Sequence, residues 1–447
     1  MRRHFPIKFT TVTLLCLVLL IAGFLRYQYV QQAVDDIHIA KDAEQYVNYG
    51  RNLVLYRTFS YQHDKLPPTP DSFRSPGYPL FIAMIMKIGG KLNYLKLVLY
   101  SQVFLSTALV PLTFFTGTFF MSIPASMLAA LLVAISPHLI TTSACVLTET
   151  LFSFLLLSGI CVFQLSLKYF SICLAGISAV LFGWAFLTNE TVLFLPFILV
   201  SVILWFRYFS IAHVFGKRKI IFVIFFIAIY MTVPSGWWLR NYFNVPAGGP
   251  KGSDRAVVTM SHGAYPDFIY KDPHYWGIPY REDPQQPYFG SSIKNFSEVL
   301  WTRVKDEPLR YLVWYLIGKP YYFWNWNIIQ GTGDIYINPI KSDLFIESMF
   351  AANIKKVMAF LHPLFLLLTL FSIPVIFFKK KMIRIFDRDD INVALIPMIA
   401  CLYFTIIYSI FAPWPRYSIP LRPELYLCAI WTLSIIVKYL RKHKVRS

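Results

Sequence analysis

The stretch FTTVTLLCLVLLIAGFLR, Phe9 to Arg26, contains no acid and reaches a charged side chain only at its last residue. Wound into a helix, a run of this length covers most of the ~30 Å hydrocarbon layer of a bilayer. It is longer than an ordinary signal-peptide core and no A-x-A-like site follows it, so it reads as an uncleaved first membrane helix. Nine further apolar runs place helices at about 97–120, 123–141, 150–167, 171–187, 191–207, 219–236, 357–378, 391–411 and 420–438. The expected fold is therefore all-α and polytopic. It has about ten transmembrane helices in a single integral-membrane domain over residues 1–447. Composition agrees: the 447 residues are 56% hydrophobic and 18% aromatic, with mean hydropathy +0.52, outside the range of soluble domains.

The formal charge of +19 points to topology rather than to nucleic acid. Its basic clusters (Arg2, Arg3 and Lys8; Lys217 to Lys219; Lys379 to Lys381 with Arg384 and Arg388; and the tail LRKHKVRS) flank apolar runs on the side that the positive-inside rule makes cytoplasmic. An even number of spans then puts both termini inside. The six cysteines lie in or at the ends of apolar runs without CxxC spacing, so they read as packing residues.

Two long loops face outward in this topology, 27–77 and 237–356. The second is rich in Pro, Gly and aromatics, shows no clear periodicity, and reads as a lid rather than a domain. The short run Tyr78 to Ile88 and the aromatic segment 311–329 read as helices at the membrane interface. Twenty of the 23 Asp and Glu fall on the outer side, leaving Asp387, Asp389 and Asp390 inside. Acid–base chemistry is expected outside the cytoplasm. No Walker A or GxGxxG motif marks a cytosolic nucleotide site.

Within the first loop, DAEQYVNYGRNL puts Asp42, Tyr46 and Tyr49 on one helix face. A carboxylate partly desolvated at the hydrocarbon boundary is expected to have a raised pKa, as suits a general base. A helix-dipole acid is the plainer alternative. The adjacent Asp35 and Asp36 read as a solvated pair. In RSPGYPLFIA, Arg74 precedes a Pro-Gly turn that aims a guanidinium at the interface, either to bind phosphate or to anchor by snorkelling. Glu149, in SACVLTETLF, is an ionisable group at the start of an apolar run and so a functional candidate. Asn189 and Glu190 lie in a tight turn between two apolar runs. Arg240 and Asn241 in PSGWWLRNY, and Arg416, Arg422 and Glu424 in PWPRYSIPLRPELY, add cations to the same rim. Arg422 and Glu424 are close enough in sequence to neutralise each other. His63, His262 and His274 lack metal-ligand spacing and read as loop residues.

In this order, the D-x-x-x-Y of Asp42 and Tyr46, RSPGYPLFIA, LTETLF, LTNETVLFLP, WWLRNY and RYSIPLRP resemble the GT-C membrane glycosyltransferases. The nearest branch is the bacterial one related to protein O-mannosyltransferases and the lipid A aminoarabinose transferase. The resemblance implies a cavity open to the outer leaflet and juxtamembrane helices, with a polyprenyl-phosphate sugar as donor. The acceptor is a lipid, glycan or protein. Asp42 is implied as the base, Glu149 as a second catalytic acid, and Arg74, with Tyr46, Tyr78, Arg240 and Arg416, as the substrate-binding set. Relatives often carry Arg or Lys where this chain has Asn189, so no phosphate contact is expected there. No cofactor or metal ligand set is implied with certainty, and a divalent metal stays open. The implied location is the bacterial inner membrane, multi-pass, with the site facing the periplasm. A transporter or lipid-linked sugar flippase is the rival reading, against which the absence of internal repeats counts.

Overall fold

Helix formation follows the apolar runs, and charges, prolines and glycines decide where they break. The computed structural model of the chain describes residues 8–34, 39, 41–64, 66–205, 216–271, 277–328, 343–377 and 388–444. Asp35, Asp36, His274, Arg2, Arg3, Arg384, Asp387 and the lysines 379–381 lie outside the described residues.

The first half comprises α1 (Phe9–Val34), α2 (Asp42–Tyr56), α3 (Gly77–Thr118), α4 (Ile123–Ala134), α5 (Pro137–Thr142), α6 (Glu149–Tyr169), α7 (Ile172–Thr188), α8 (Leu195–Trp205) and α9 (Gly216–Asn244). The 237–356 loop then carries α10 (Gly252–His262), α11 (Gln286–Phe289), α12 (Ile293–Asp306), α13 (Pro308–Val313), α14 (Lys319–Phe323) and α15 (Leu344–Glu347). The chain closes with α16 (Met349–Phe377), α17 (Arg388–Ile410) and α18 (Arg422–Lys444). Among the described residues there is no extended strand, only an isolated bridge between Ser72 and Lys251. This is an all-α, multi-pass membrane protein.

Among the described residues seven helices are long and apolar enough to cross a bilayer, and they fall on seven of the ten expected positions. The other three positions hold shorter apolar helices among the described residues, α4 with 12 residues, α7 with 17 and α8 with 11, and the expected run 191–207 extends beyond the residues described there. The α4 case has a visible cause. Pro137 prevents the helix from continuing, and the fully buried Arg26 takes over the freed carbonyls, with Nη1 2.8 Å from Ala134 O and Nη2 3.0 Å from Val133 O. A cation at a helix C-terminus is well placed electrostatically.

The expected interfacial run at Tyr78 to Ile88 is helical, but it joins the following span in α3 through a kink at Gly90, where φ is +73°. At the start of that helix, Gly77 lies against the end of α7. A Cβ there would come within 2.7 Å of the Leu187 carbonyl carbon and the Thr188 nitrogen. The glycine therefore sets how closely the Arg74-bearing turn approaches the bundle.

One continuous apolar core runs through the bundle, and a second, small one lies in the large loop around Tyr265, Phe289, Phe296 and Val299. The loop expected to lack periodicity is thus helical in part. The α12 pattern, with Phe296 and Val299 one turn apart and buried, is its clearest amphipathic signal. The loop meets the first loop through Ser72 N to Pro250 O at 3.1 Å and the turn after α7 through the Arg255–Glu190 pair at 3.7 Å. Lys319 adds a third tie, donating to Ile410 O and Phe411 O at 3.4 and 3.1 Å where α17 ends.

Candidate active site

The site grows from the entry to α2. Lys41 takes a left-handed φ of +53°, the chain turns sharply, and the helix starts with Asp42 and Glu44 in its first turn. The acids favour that end of the helix dipole. Tyr46 and Tyr49, on the same face, are buried. Tyr49 donates to Asp71, whose carboxylate also accepts the amides of Tyr61 and Phe73 at 3.1 Å. The first loop is folded onto α2 in this way, and the next residue, Arg74, is delivered over the Tyr46 ring at 5.2 Å.

Four charged side chains then meet in a line. Arg74 Nη2 lies 2.6 Å from Asp42 Oδ1, and Arg416 Nη2 lies 3.2 Å from Asp42 Oδ2. Arg416 Nε in turn donates to Glu149 Oε1 at 2.8 Å. Arg74 Nε is held by Gln45 Oε1, also at 2.8 Å. Each guanidinium is thus anchored through Nε and offers an Nη to a separate oxygen of Asp42. Glu149 is almost wholly buried (5% side-chain exposure), whereas Asp42 stays 35% exposed, so the acid at the centre is the one solvent can reach.

These contacts reverse the expected pKa of Asp42. Burial alone would raise it, but the charges and hydrogen bonds of Arg416 and Arg74 outweigh burial and hold the carboxyl well below the usual carboxylate range. In this state Asp42 is an ionised, weak base.

The remaining expected residues fall into two groups. Tyr46 and Tyr78 belong to the wall, their rings edge to face at 5.3 Å. Tyr78 donates to Gln102 Oε1 at 2.7 Å, and Gln102 Nε2 donates to Ser143 O and Cys145 O at 2.9 and 2.8 Å, bracing the turn that leads into Glu149. Arg240 is not brought to the cluster. Its guanidinium holds Asp71 O at 2.6 Å and Phe59 O at 3.2 Å, over the rings of Phe59 and Trp237.

Arg422 and Glu424 do not pair. Two residues apart on a helix they face different sides. Arg422 meets His362 at 3.1 Å, while neither oxygen of the buried Glu424 has a hydrogen-bond partner among the described residues. Asn189 caps its turn, accepting from Thr191 N at 3.1 Å and donating to the Tyr408 hydroxyl at 3.2 Å. His262 stacks on Tyr280 at 3.8 Å, and burial pushes its pKa down to about 4. All six cysteines are free thiols.

Sequence reasoning missed Gln45 and Gln102. Gln45 had a signal, lying one helical turn after Asp42 on the same face. Gln102 had none, being a neutral amide inside an apolar run. Among the described residues no third His, Cys, Asp or Glu joins Asp42 and Glu149 as a metal-ligand group, and Arg416 spans the two.

The fold is shared with solved structures of the archaeal oligosaccharyltransferase AglB from Archaeoglobus fulgidus. Its complex with an inhibitory peptide and a dolichol-phosphate matches with a TM-score of 0.54 at 13% identity, covering 98% of this chain and 51% of that one. The apo form of the Archaeoglobus fulgidus oligosaccharyltransferase gives 0.54 at 14% identity, over 99% and 52%. The form tethered by a disulfide to an acceptor peptide containing the NVT sequon gives 0.54 at 13%, over 98% and 51%. This chain therefore spans about half the length of these proteins. At such identity the likeness establishes the fold, which agrees with the expected GT-C-like architecture. No family model and no curated protein matches the sequence.

Proposed function

We propose that the protein is a membrane glycosyltransferase that moves a sugar from a polyprenyl-phosphate carrier to an acceptor hydroxyl on the outer face of a bacterial inner membrane. The observation that supports the reading is the Arg74–Asp42–Arg416–Glu149 line, a solvent-reachable carboxylate held between two guanidinium groups, which in this reading serve as base and phosphate-binding groups. The shared fold supports it, since AglB has been solved with a dolichol-phosphate.

The chemistry follows from charge. The donor is a phosphodiester with one negative charge, and the departing polyprenyl phosphate is a monoester that gains a second. Arg74 and Arg416 meet that growing charge. Their Nε anchors on Gln45 and Glu149 let the Nη ends turn from Asp42 to the phosphate without losing position. Donor binding thereby frees Asp42 and raises its basicity where a proton must be taken. The acceptor oxygen attacks the anomeric carbon, its proton passes to Asp42, and the carbon–oxygen bond to phosphate breaks with its electron pair leaving on the phosphate. Direct displacement inverts the anomeric centre. Glu149 is in this scheme a positioning residue for Arg416.

The test is binding of a polyprenyl phosphate without sugar to the purified protein. Arg74→Met and Arg416→Met each remove a charge-assisted contact and are expected to weaken binding about tenfold or more. Unchanged affinity in both variants would remove the phosphate from this site.

A further inference from the structure

We propose that Tyr417 reads the donor sugar, its phenol hydroxyl forming a hydrogen bond with a hydroxyl of the sugar that is transferred. This makes it a specificity-determining residue of the site proposed above, and it rests on that reading for its role. Tyr417 follows Arg416 in the short 3₁₀ segment Pro415–Leu421, which joins α17 to α18. The backbone there is pinned on both sides. Tyr417 N donates to Trp414 O at 2.9 Å, Ser418 Oγ to Pro415 O at 2.9 Å, and Ser153 Oγ of α6 to Pro420 O at 2.8 Å.

The ring is held as firmly as the backbone. It stacks on Tyr408 with centroids 5.0 Å apart, and the Arg416 guanidinium lies over it at 5.4 Å. Tyr408 is fixed in turn by its hydroxyl, which accepts from Asn189 Nδ2 at 3.2 Å. Other tyrosines of the bundle spend their hydroxyls on the protein in the same way: Tyr49 donates to Asp71, Tyr78 to Gln102 and Tyr403 to Thr191 O. The Tyr417 hydroxyl differs. It makes no hydrogen bond among the described residues and is not sealed from solvent. A hydroxyl on a fixed ring that holds nothing in the protein is available to a ligand.

Position decides which part of the donor it meets. The hydroxyl lies within electrostatic reach of Arg416, Asp42, Glu149 and Arg74 together. Tyr46, beneath Arg74 at 5.2 Å, stands at one end of that line instead. In the displacement proposed above, the anomeric carbon lies between the base and the phosphate that the two arginines hold. A group near the base and near both arginines therefore stands beside the sugar. The phosphate charge is already met by two guanidinium groups. A phenol both donates and accepts, as sugar hydroxyls do, and suits the sugar better. A site that makes such a bond also rejects a sugar that cannot complete it.

Binding to the full chain in lipid nanodiscs tests this without turnover. The probes are a polyprenyl phosphate and the same lipid carrying each of a panel of hexoses and pentoses. Wild type should bind one sugar-bearing lipid more tightly than the bare phosphate. Tyr417→Phe keeps the ring and should weaken binding of that lipid about three- to tenfold, the scale of one neutral hydrogen bond, with the bare phosphate unchanged. Tyr408→Phe, whose lost hydroxyl serves the Asn189 turn, should lower the thermal midpoint and leave the affinity for that lipid intact. No gain from any sugar, a gain that survives Tyr417→Phe, an equal loss in Tyr408→Phe, or a bare phosphate weakened as much as the sugar-bearing lipid would each overturn the proposal. Bare phosphate reports on the arginines, so Arg74→Met and Arg416→Met can uphold the phosphate site while Tyr417→Phe sinks the sugar contact. Bare-phosphate affinity unchanged in both arginine variants would instead sink the reading beneath it.

Discussion

Asp42 is held by two arginines, and this makes the pH dependence of the reaction diagnostic. A depressed pKa means the carboxylate remains charged until well below pH 4, so kcat/KM, which reports the free enzyme, should show no acidic limb from Asp42 at or above pH 4. Once donor has drawn the guanidinium groups away, the pKa rises and the acidic limb of kcat should lie at higher pH than that of kcat/KM. Superimposed limbs in the two profiles would contradict the exchange of partners. Glu149 gives a second residue-level expectation. Glu149→Gln keeps an oxygen for Arg416 Nε and should cost less than about tenfold in kcat/KM, while Glu149→Ala should cost more, about one to two orders of magnitude. Steady-state kinetics on both variants checks the order. Asp42, Arg74, Glu149 and Arg416 were legible in the sequence because ionisable groups beside apolar runs are expensive to place. Arg240 was not, since sequence cannot distinguish a guanidinium that binds backbone carbonyls from one that faces a ligand. The direction of the Asp42 shift also lay out of reach, because it depends on Arg416, 374 residues away in the chain.

At the scale of elements, the site depends on how closely α3 approaches α7 and on how the loop is tied to α17. Gly77→Ala sets a Cβ against the Leu187–Thr188 backbone and is expected to destabilise by about 1–3 kcal/mol, read as a lower thermal midpoint in detergent. A midpoint equal to wild type would mean that the turn yields freely. Lys319→Met strips the donor from the carbonyls of Ile410 and Phe411 and should cost about 1–3 kcal/mol in the same assay. It should also speed proteolysis within the 252–323 segment. Hydropathy revealed the seven long spans because each carries its own apolar run. At α4, α7 and α8 the apolar runs give shorter helices among the described residues, part of whose apolar surface is buried against neighbouring helices. The kink at Gly90 and the break before Pro137 are set by local backbone geometry that no hydropathy window resolves. The helices of the large loop were hidden for another reason: their stability comes from a small shared core around Tyr265 and Phe296, assembled from segments well apart in sequence.

Taken as a whole, the molecule is a multi-pass helical bundle with a partly helical large loop, and its fold is shared with the archaeal oligosaccharyltransferase, about twice its length. Asp42, Arg74, Glu149 and Arg416 lie in four different segments of the sequence and converge in one cluster of ion pairs. The central claim is that this cluster transfers a sugar from a lipid phosphate with Asp42 as base. It is tested most directly by release of free polyprenyl phosphate from a panel of synthetic polyprenyl-phosphate sugars. The purified protein would be supplied with acceptors from a membrane extract, and wild type compared with Asp42→Asn of equal thermal stability. The expected result is release from one donor by wild type, reduced about 10²–10⁴-fold in the variant. Undiminished release by Asp42→Asn, or no release from any donor by wild type, would contradict the account.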